Sequence, residues 1–218
     1  GQVEAGGFVR SGVYDADGAD GDDFRTVGGD YYKPTDADYE ANCDEARQLL
    51  ADAGYPNGEG FPVVEYLYNT SDAHKAVAEA LQFMWEEELG VKVTLNNQEW
   101  AAFLQTRKDG DYSIARNGWI ADYNDPISFL DMWMTGGGNN DAQYANDDYD
   151  ALIKQAKTTT DNAERMDLLH QAEDKLIGED SVLAPLYFYT QKYMLADGIE
   201  GMYYCPLGYF FFGYTHQA

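Results

Sequence analysis

The sequence predicts an α/β fold with a mainly parallel sheet flanked by helices. Apolar segments of strand length alternate with amphipathic segments of helix length through the middle of the chain, and this alternation is typical of parallel strands joined by helices. Turn-forming residues separate the segments, as at Gly54 and Gly90, where each glycine is suited to end a helix. A chain of 218 residues is also long enough to bury a substantial core.

The individual elements follow from the spacing of apolar residues. Leu81 and Trp85 fall on one helical face, and Trp100, Phe103 and Leu104 are expected to face inward from the next helix. In chain order, the predicted elements are a helix at 43–53, a strand at 62–68, a helix at 72–89, a strand at 91–95, a helix at 99–108, a strand at 112–116, a helix at 127–134, two amphipathic helices at 149–156 and 166–176, and strands at 182–189 and 193–195.

Composition divides the chain into three parts. Residues 1–42 are rich in Gly and Asp and show little periodicity, so we expect an acidic, extended lead-in whose aromatic side chains pack on the rest of the chain. Residues 43–196 carry the regular elements and form the predicted α/β lobe. Residues 197–218 form an aromatic C-terminal tail.

The charge balance excludes nucleic acid as a partner. The chain has 39 acidic and 14 basic residues and a formal net charge of −25, whereas phosphate backbones are bound by Lys and Arg. Most of the acidic side chains are expected to form a solvated surface. The run from Asp15 to Asp22 offers oxygen ligands for weak Ca²⁺ binding, but Ala19 interrupts the usual loop and no glutamate closes it.

The two cysteines, Cys43 and Cys205, form no CxxC motif, so the sequence predicts no zinc site, no redox site and no cofactor. Whether they pair with each other is left open. No apolar run reaches the ~18 residues of a membrane helix, and no signal peptide is recognisable. Because the chain begins at Gly1 rather than Met, we expect a mature or excised fragment.

The most informative segment runs from Arg116 to Pro126. It follows the predicted strand at 112–116 and delivers a cation, the indole of Trp119 and the carboxylate of Asp122 within seven residues. Ligands of α/β proteins bind beyond the carboxyl ends of the strands. We therefore expect this segment to receive a small, polar and partly cationic ligand.

Several motifs in a fixed order make the chain resemble a known family. They are YNTSDAHK at 68–75, LGVKV at 89–93, NQEW at 97–100, FLQTR at 103–107, RNGWIADYNDP at 116–126 and APLYFY at 184–189. From about residue 43 to about residue 196, the series resembles the C-terminal half of the oligopeptide-binding proteins that serve peptide ABC importers. Since these are two-lobed extracytoplasmic solute receptors, the resemblance implies a single lobe of a type II periplasmic-binding-protein-like fold.

The resemblance implies ligand contacts at one end of a bound peptide and along its backbone. Asp122 would pair with the α-ammonium group, a charge-assisted hydrogen bond roughly twice as strong as a neutral one. Gly118 and Ile120 would offer main-chain groups to an extended peptide, as in strand addition. Trp119 would line the side-chain pockets, and Tyr189 would lie near the first residues of the ligand.

Three cations would meet the peptide carboxylate, depending on peptide length: His74, Arg107 and Arg116. Structural roles remain open for His74 near a helix start, for Arg116 beside the many acids, and for Trp119 as a core residue. Asp122 is not expected to cap the following helix, because Pro126 stands too far along the chain.

The resemblance also implies that this chain is incomplete as a receptor. Family members are considerably longer, and the first lobe and an additional N-terminal domain would be missing. The ligand is normally enclosed between two lobes around a hinge, so this chain would hold one wall of the site and have little or no peptide affinity alone. The tail at 197–218 would return toward the missing lobe, and its exposure in a fragment would promote association.

The predicted function is therefore that of the substrate-binding component of an ABC transporter, which captures oligopeptides with a free N-terminus for import. Its partners would be the permease subunits, through the full-length receptor, and its location extracytoplasmic, as a cell-surface lipoprotein or in the periplasm. Any membrane contact would come from a lipid anchor outside this sequence. Receptors for a dipeptide, a sugar or a nickel complex are alternatives, although nickel would need clustered histidines that this chain lacks.

Two further classes are weighed on the same residues. A carbohydrate-binding module would leave Arg116 and Asp122 without a role. A glycosidase would need two carboxylates ~5–10 Å apart, and Asp122 and Asp125 are the available pair, but no supporting catalytic motif accompanies them. We predict that the protein is not an enzyme.

Overall fold

The computed structural model of the protein describes residues 1–32, 35, 37–205 and 207–218. It divides into two compact units. The sheet unit consists of Lys33–Gly118 and Gly138–Tyr144, and the helical unit consists of Gly1–Tyr32, Trp119–Gly137 and Ala145–Ala218. Residues 33, 34 and 36 of the predicted lead-in and residue 206 of the predicted tail lie outside the described residues.

The helices and strands alternate through the middle of the chain. The α-helices are α1 Phe24–Gly28, α2 Tyr39–Asp52, α3 Asp72–Leu89, α4 Trp100–Asp109, α5 Ile127–Leu130, α6 Asp147–Ala156 and α7 Asn162–Glu173, and a π-helical turn at Asp174–Glu179 continues α7. The strands are β1 Val3–Glu4, β2 Val64–Asn69, β3 Val93–Gln98, β4 Ile114–Ala115, β5 Tyr187–Phe188, β6 Ile199–Glu200, β7 Tyr203–Cys205, β8 Tyr209–Phe211 and β9 His216–Gln217.

The sheet unit contains a parallel three-stranded sheet in the order β3–β2–β4. Helix α3 connects the neighbouring strands β2 and β3, and α4 connects β3 to β4, which pairs with the other side of β2. The buried core lies between the sheet and α3, where Tyr66, Tyr68 and Val93 pack with Ala78 and Val91. The predicted α/β class with a parallel sheet and flanking helices is confirmed.

Local signals determine where the helices of the sheet unit stop. Gly90 follows α3 with φ +67° and Gly110 follows α4 with φ +74°, and this left-handed conformation is readily accessible to glycine. The predicted limits of α3, from Ser71 or Asp72 to Gly90, are confirmed.

The helical unit is built around α5, α6 and α7. The inward faces of α6 and α7 bury Tyr149, Ile153, Met166, Leu169 and Ala172, as the apolar spacing predicts. Side chains cap both helices: Asn146 accepts from two N–H groups at the start of α6, and Asp161 accepts from Glu164 N at the start of α7.

The N-terminal segment of the helical unit is less extended than expected. It includes the short helix α1 and buries Val9, Val13 and Phe24, while Phe8 packs edge-on against the ring of Phe129 at 5.7 Å. Such a short helix has too few turns to show an apolar period. The predicted division at residues 42/43 and 196/197 stays a prediction about the organisation of the chain.

Several element predictions are wrong in detail. Strand β3 extends to Gln98, beyond the predicted 95, because its polar end pairs with β2 in register Asn69↔Gln98. The predicted strand at 182–189 is reduced to Tyr187–Phe188, and 193–195 is not a strand. The predicted helix at 127–134 becomes α5 followed by a 3₁₀ turn at Asp131–Trp133.

The prediction that three side chains of α4 face inward is confirmed for one of them. Phe103 is fully buried, whereas Trp100 is 53 % exposed and Leu104 is 36 % exposed. A helix of ten residues buries only a narrow stripe against the sheet.

Two open questions are answered by the described residues. Cys43 and Cys205 are both free cysteines. None of the helices within the described ranges is long and apolar enough to cross a membrane.

Candidate ligand-binding site

The eight predicted site residues divide between the two units, and each group is described within its own unit. The sheet unit contains His74, Arg107, Arg116 and Gly118, and the helical unit contains Trp119, Ile120, Asp122 and Tyr189. The unit boundary thus falls between Gly118 and Trp119, inside the segment that the sequence singles out.

In the sheet unit, Arg116 lies at the carboxyl end of the parallel sheet. It directly follows β4, and its main-chain N–H donates to the carbonyl of Leu67 in β2 at 2.8 Å. Its guanidinium Nη1 lies 3.4 Å from the side-chain oxygen of Asn69, the last residue of β2. This is the edge of the sheet where α/β proteins bind ligands, as the sequence predicts.

Asn69 also contacts His74, in the first turn of α3. The Nδ1 atom of His74 lies 3.3 Å from the main-chain oxygen of Asn69. Partial burial lowers the pKa of His74 below its ordinary value, the positive charge of Arg116 lowers it further, and the contact with Asn69 opposes both. One residue at the end of β2 therefore contacts two of the predicted cations.

Arg107, in the last turn of α4, is held in an ion pair. Its Nε lies 2.7 Å from Oδ2 of Asp141, and both side chains are 14 % exposed. Its Nη1 donates to the side-chain oxygen of Asn117 at 2.9 Å, and the same oxygen accepts from the main-chain N–H of Gly118 at 2.8 Å. Arg107 thus supports the backbone at the end of the sheet unit.

In the helical unit, Ser128 organises the segment that begins at Trp119. The indole Nε1 of Trp119 donates to the main-chain oxygen of Ser128 at 2.6 Å. The main-chain N–H of Asp122 donates to the Ser128 hydroxyl oxygen at 2.9 Å. Ser128 lies in α5 and is 4 % exposed, so a buried helix anchors both ends of the 119–122 segment.

The residues after Asp122 are anchored as well. Asp125 accepts from Ile127 N at 2.9 Å and pairs with Arg165 of α7 at 2.8 Å. Asn124 accepts from Tyr14 N at 2.8 Å and donates to the carbonyl of Gly12 at 3.1 Å. These contacts fix the loop on both sides, which reduces the ordering that ligand binding would require.

Between these anchors, two residues keep free binding groups. The Asp122 side chain is exposed, and its carboxylate has no hydrogen bond or ion pair within the described part of the chain. Ile120 is 71 % exposed, and across residues 1–32, 35, 37–205 and 207–218 neither of its main-chain groups is hydrogen-bonded. This arrangement presents an anion and a short stretch of unpaired backbone to solvent.

Tyr189 directly follows β5, which pairs with β1 in antiparallel register. Its ring packs edge-on against the ring of Tyr187 at 5.2 Å, and its side chain is half-exposed. The Tyr189 hydroxyl therefore lies at the surface of the helical unit.

The residues offered for other functions are engaged elsewhere. Asp125, the proposed second carboxylate of a glycosidase pair, is held by Arg165. Asp15, the first residue of the acidic run, contacts Nε2 of His170 at 2.8 Å. Over the ranges that the structure describes, no group of three His, Cys, Asp or Glu side chains is placed to hold a metal ion.

Sequence reasoning missed the residues that position the site. Ser128 and Asp141 carry no motif signal, because each acts through a contact that only folding creates. Asn69 and Asn117 do lie inside the recognised motifs, at the ends of predicted strands, and their position was the available signal.

The fold is that of solute receptors with the type II periplasmic-binding-protein fold. A solved structure of an oligopeptide-binding protein from Haemophilus influenzae, in complex with the peptide RPPGFSPFR, matches 92 % of this chain with a TM-score of 0.71 and 30 % identity, and the match covers 37 % of that protein. The family model for bacterial extracellular solute-binding proteins, family 5, middle region, matches residues 10–141. The chain belongs to this family.

Two relatives support the same family assignment. The dipeptide-binding protein DppE of Bacillus subtilis is 39 % identical over 87 % of this chain and 34 % of its own length. The periplasmic oligopeptide-binding protein OppA of Salmonella typhimurium is 40 % identical over 72 % of this chain and 29 % of its own length. The chain thus spans about a third of the length of the relatives that it matches.

Proposed function

We propose that this chain forms part of the substrate-binding component of an ABC transporter that captures oligopeptides for import, and that it contributes one lobe of the peptide clamp. The observation that carries the proposal is the exposed Asp122 carboxylate, which has no partner within the described residues and follows the unpaired backbone of Ile120. A peptide in extended conformation offers a matching ammonium group and a matching row of main-chain donors and acceptors.

The role of Asp122 is to bind the α-ammonium group of the peptide. The hydrogen bond from its own N–H to Ser128 holds the residue in place, while the carboxylate stays available to a ligand. A hydrogen bond between two ionised groups contributes more than a neutral one, on the order of 1.5–3 kcal/mol. This contact would favour peptides with a free N-terminus.

The backbone contacts would make binding tolerant of peptide sequence. In strand addition, main-chain hydrogen bonds supply affinity, and side chains enter pockets. Ile120 keeps both main-chain groups for this purpose, whereas the N–H of Gly118 already donates to Asn117. Gly118 would therefore contribute through its carbonyl group, and Trp119 and Tyr189 through their rings.

The peptide carboxylate would meet cations of the sheet unit. His74, Arg107 and Arg116 are each partly buried near the carboxyl ends of its strands, and carboxylates of ligands of different lengths would use different members of this set. The lowered pKa of His74 keeps its ring mainly neutral near pH 7. The arginines would supply the permanent charge.

The family and the relatives also support a location and partners. We propose that the protein acts outside the cytoplasm, either in the periplasm or as a lipid-anchored protein of the cell surface, and delivers peptides to the permease subunits of its transporter. We further propose that it binds its ligand without transforming it.

The proposal is tested by peptide titration calorimetry on a receptor-length protein, meaning one that carries this chain together with the remaining two thirds of the relatives' length. Asp122→Asn should lower the affinity for a pentapeptide with a free N-terminus by about ten- to a hundredfold. The affinity for the N-acetylated form of the same peptide should stay nearly unchanged. Asp22→Asn is the matched control, because it removes the same charge from another exposed aspartate of the helical unit.

Three outcomes would contradict the proposal. They are the absence of peptide binding, an equal loss for free and acetylated peptides in Asp122→Asn, and micromolar peptide affinity in the 218-residue chain alone. Including dipeptides in the titration decides between an oligopeptide receptor and the alternative of a dipeptide receptor.

A further inference from the structure

The ion pair between Arg107 and Asp141 joins two distant parts of the sheet unit. Their atoms Nε and Oδ2 are 2.7 Å apart, and the residues are 34 positions apart in the sequence. The guanidinium carbon lies 5.1 Å from the ring centroid of Phe103, which is fully buried. The guanidinium therefore has its position set from two sides, by a carboxylate and by an aromatic face.

Asp141 is itself held rigidly. Its main-chain oxygen accepts from the hydroxyl of Tyr112 at 2.8 Å. The neighbouring Asn140 forms two hydrogen bonds with the main chain of Tyr144, at 2.8 and 3.1 Å, which close the loop around it. Burial raises the pKa of Tyr112, and the negative charge of Asp141 adds to this. The carboxylate is therefore a preorganised partner that needs no rearrangement to meet Arg107.

We propose that Asp141 is a specificity-determining positioning residue of the peptide site: it acts as an internal carboxylate that occupies Arg107, so that a ligand carboxylate reaching Arg107 must compete with it. This inference rests on the proposed function, because it concerns one of the cations offered to the peptide. It assigns to Asp141 the control of how strongly the site prefers ligands with a free C-terminal carboxylate.

The physical reason is the mutual neutralisation of two charges in a partly dry environment. At 14 % exposure, solvent screens the Arg107–Asp141 attraction much less than it would at the surface. Two of the three guanidinium nitrogens already have acceptors, since Nε donates to Asp141 and Nη1 donates to Asn117. Removing the charge of Asp141 would leave a positively charged group without its anion, and a ligand carboxylate is the natural replacement.

The test compares the same peptide as a free acid and as a C-terminal amide, bound to the receptor-length protein. We expect Asp141→Asn to raise the ratio of acid to amide affinity by about tenfold. An asparagine keeps an oxygen that accepts from Arg107, so the fold is preserved. Asp111→Asn is the matched control, because it removes the same charge from an exposed aspartate of the same unit and should leave the ratio within about twofold.

A double variant separates competition from a purely structural effect. Arg107→Gln combined with Asp141→Asn removes both charges, so the acid-to-amide ratio should return to within about twofold of the original protein. An equal loss of affinity for acid and amide in Asp141→Asn would indicate a structural role and overturn the inference. An increase in the ratio of acid to amide affinity that persists in the double variant would also overturn the inference.

A second measurement does not depend on peptide binding. In the 218-residue chain, the NMR signal of the Arg107 Nε–H group should respond to sodium acetate in Asp141→Asn and should not respond in the original chain, with acetamide as the uncharged comparison. An unresponsive Asp141→Asn signal overturns the inference. Failure of all peptides to bind the receptor-length protein instead contradicts the proposed function, and the acetate titration still decides the role of Asp141.

Discussion

The main-chain N–H of Asp122 donates to the hydroxyl oxygen of Ser128 at 2.9 Å, across six positions of sequence. Ser128 is 4 % exposed, whereas the Asp122 side chain is exposed. A buried residue thus fixes the backbone of an exposed one. The anion proposed to bind the peptide is therefore positioned by the core of the helical unit and not by its own side-chain contacts.

Ser128→Ala should loosen this arrangement. The substitution removes the acceptor of the Asp122 N–H and should lower the free energy of unfolding by about 1 kcal/mol. Peptide affinity of the receptor-length protein should fall, because Asp122 is no longer held in place. Denaturant unfolding and titration calorimetry measure the two effects.

Ser11→Ala is the control for this experiment, because Ser11 is an exposed serine of the same unit. It should change neither quantity. Unchanged peptide affinity in Ser128→Ala would show that the Ser128 hydroxyl does not position the site.

Glu173→Gln should strongly destabilise the helical unit. Glu173 is fully buried and accepts from the N–H groups of Phe8 and Val9 at 2.9 and 2.8 Å. It also pairs with Arg25 at 3.0 Å, and Arg25 is itself buried. Neutralising Glu173 leaves the buried Arg25 with a longer ion pair, 3.7 Å to the half-exposed Asp30. This contact compensates its charge less well, so the loss should be roughly 3 kcal/mol. Denaturant unfolding of the 218-residue chain measures this loss.

Glu179→Gln is the matched control for Glu173→Gln. Glu179 pairs with Lys175 at 2.8 Å, but its side chain is 65 % exposed. Removing its charge should therefore lower the free energy of unfolding by less than about 1 kcal/mol. Equal losses for the two variants would show that the buried pair contributes no more than a surface pair.

The pKa of His74 should lie below its ordinary value near 6.5, because burial and the charge of Arg116 both disfavour its protonated form. As the pH falls below that ordinary value, the unfolded chain binds the proton before the folded chain does. The contribution of His74 to stability is therefore fully present above that pH and is lost as the pH falls. An NMR titration of the His74 ring in the 218-residue chain measures its pKa.

Arg116→Gln should move the pKa of His74 upward, since it removes the nearby positive charge while the burial remains. Arg107→Gln serves as the comparison, because Arg107 is not among the causes of the shift. A His74 pKa at or above 6.5 in the original chain would contradict this prediction.

Gly90→Ala should destabilise the sheet unit for two reasons. Gly90 adopts φ +67°, a left-handed conformation that costs an alanine about 1 kcal/mol. Its added Cβ would also lie 2.2 Å from the main-chain oxygen of Asn57, so the backbone would have to move. Gly60, at φ +78°, has open space around the same position. Gly60→Ala should therefore show the conformational cost alone, and a loss as large as that of Gly90→Ala would exclude the steric contribution.

The elements that the sequence predicts well are those with local signals. Helix α3 lies between a predicted start at Ser71 or Asp72 and a predicted stop at Gly90, because the first turn and the cap depend on neighbouring residues only. The predicted carboxyl end of strand β3 was three residues too early. Its last residues are polar, and pairing with β2 rather than apolar character makes them a strand.

The candidate site shows the same division. The strand-end cation Arg116 and the family motif around Asp122 can be recognised from residue types and their order. Asp141 could not be recognised, because nothing in its sequence neighbourhood indicates an arginine 34 positions away. Ser128 could not be recognised either, since a serine in a predicted helix carries no sign of what its hydroxyl contacts.

The sequence by itself determined the α/β class and the family, and it indicated the chemical groups that we propose meet a ligand, because periodicity, turn residues and motif order can be recognised along the chain. Only the tertiary structure decided which of those groups are already engaged. It pairs Arg107 with Asp141 and leaves the Asp122 carboxylate without a partner in the described part of the chain. The reason is that hydrogen bonds and ion pairs depend on distances of about 3 Å, and folding sets those distances between residues that are far apart in the sequence.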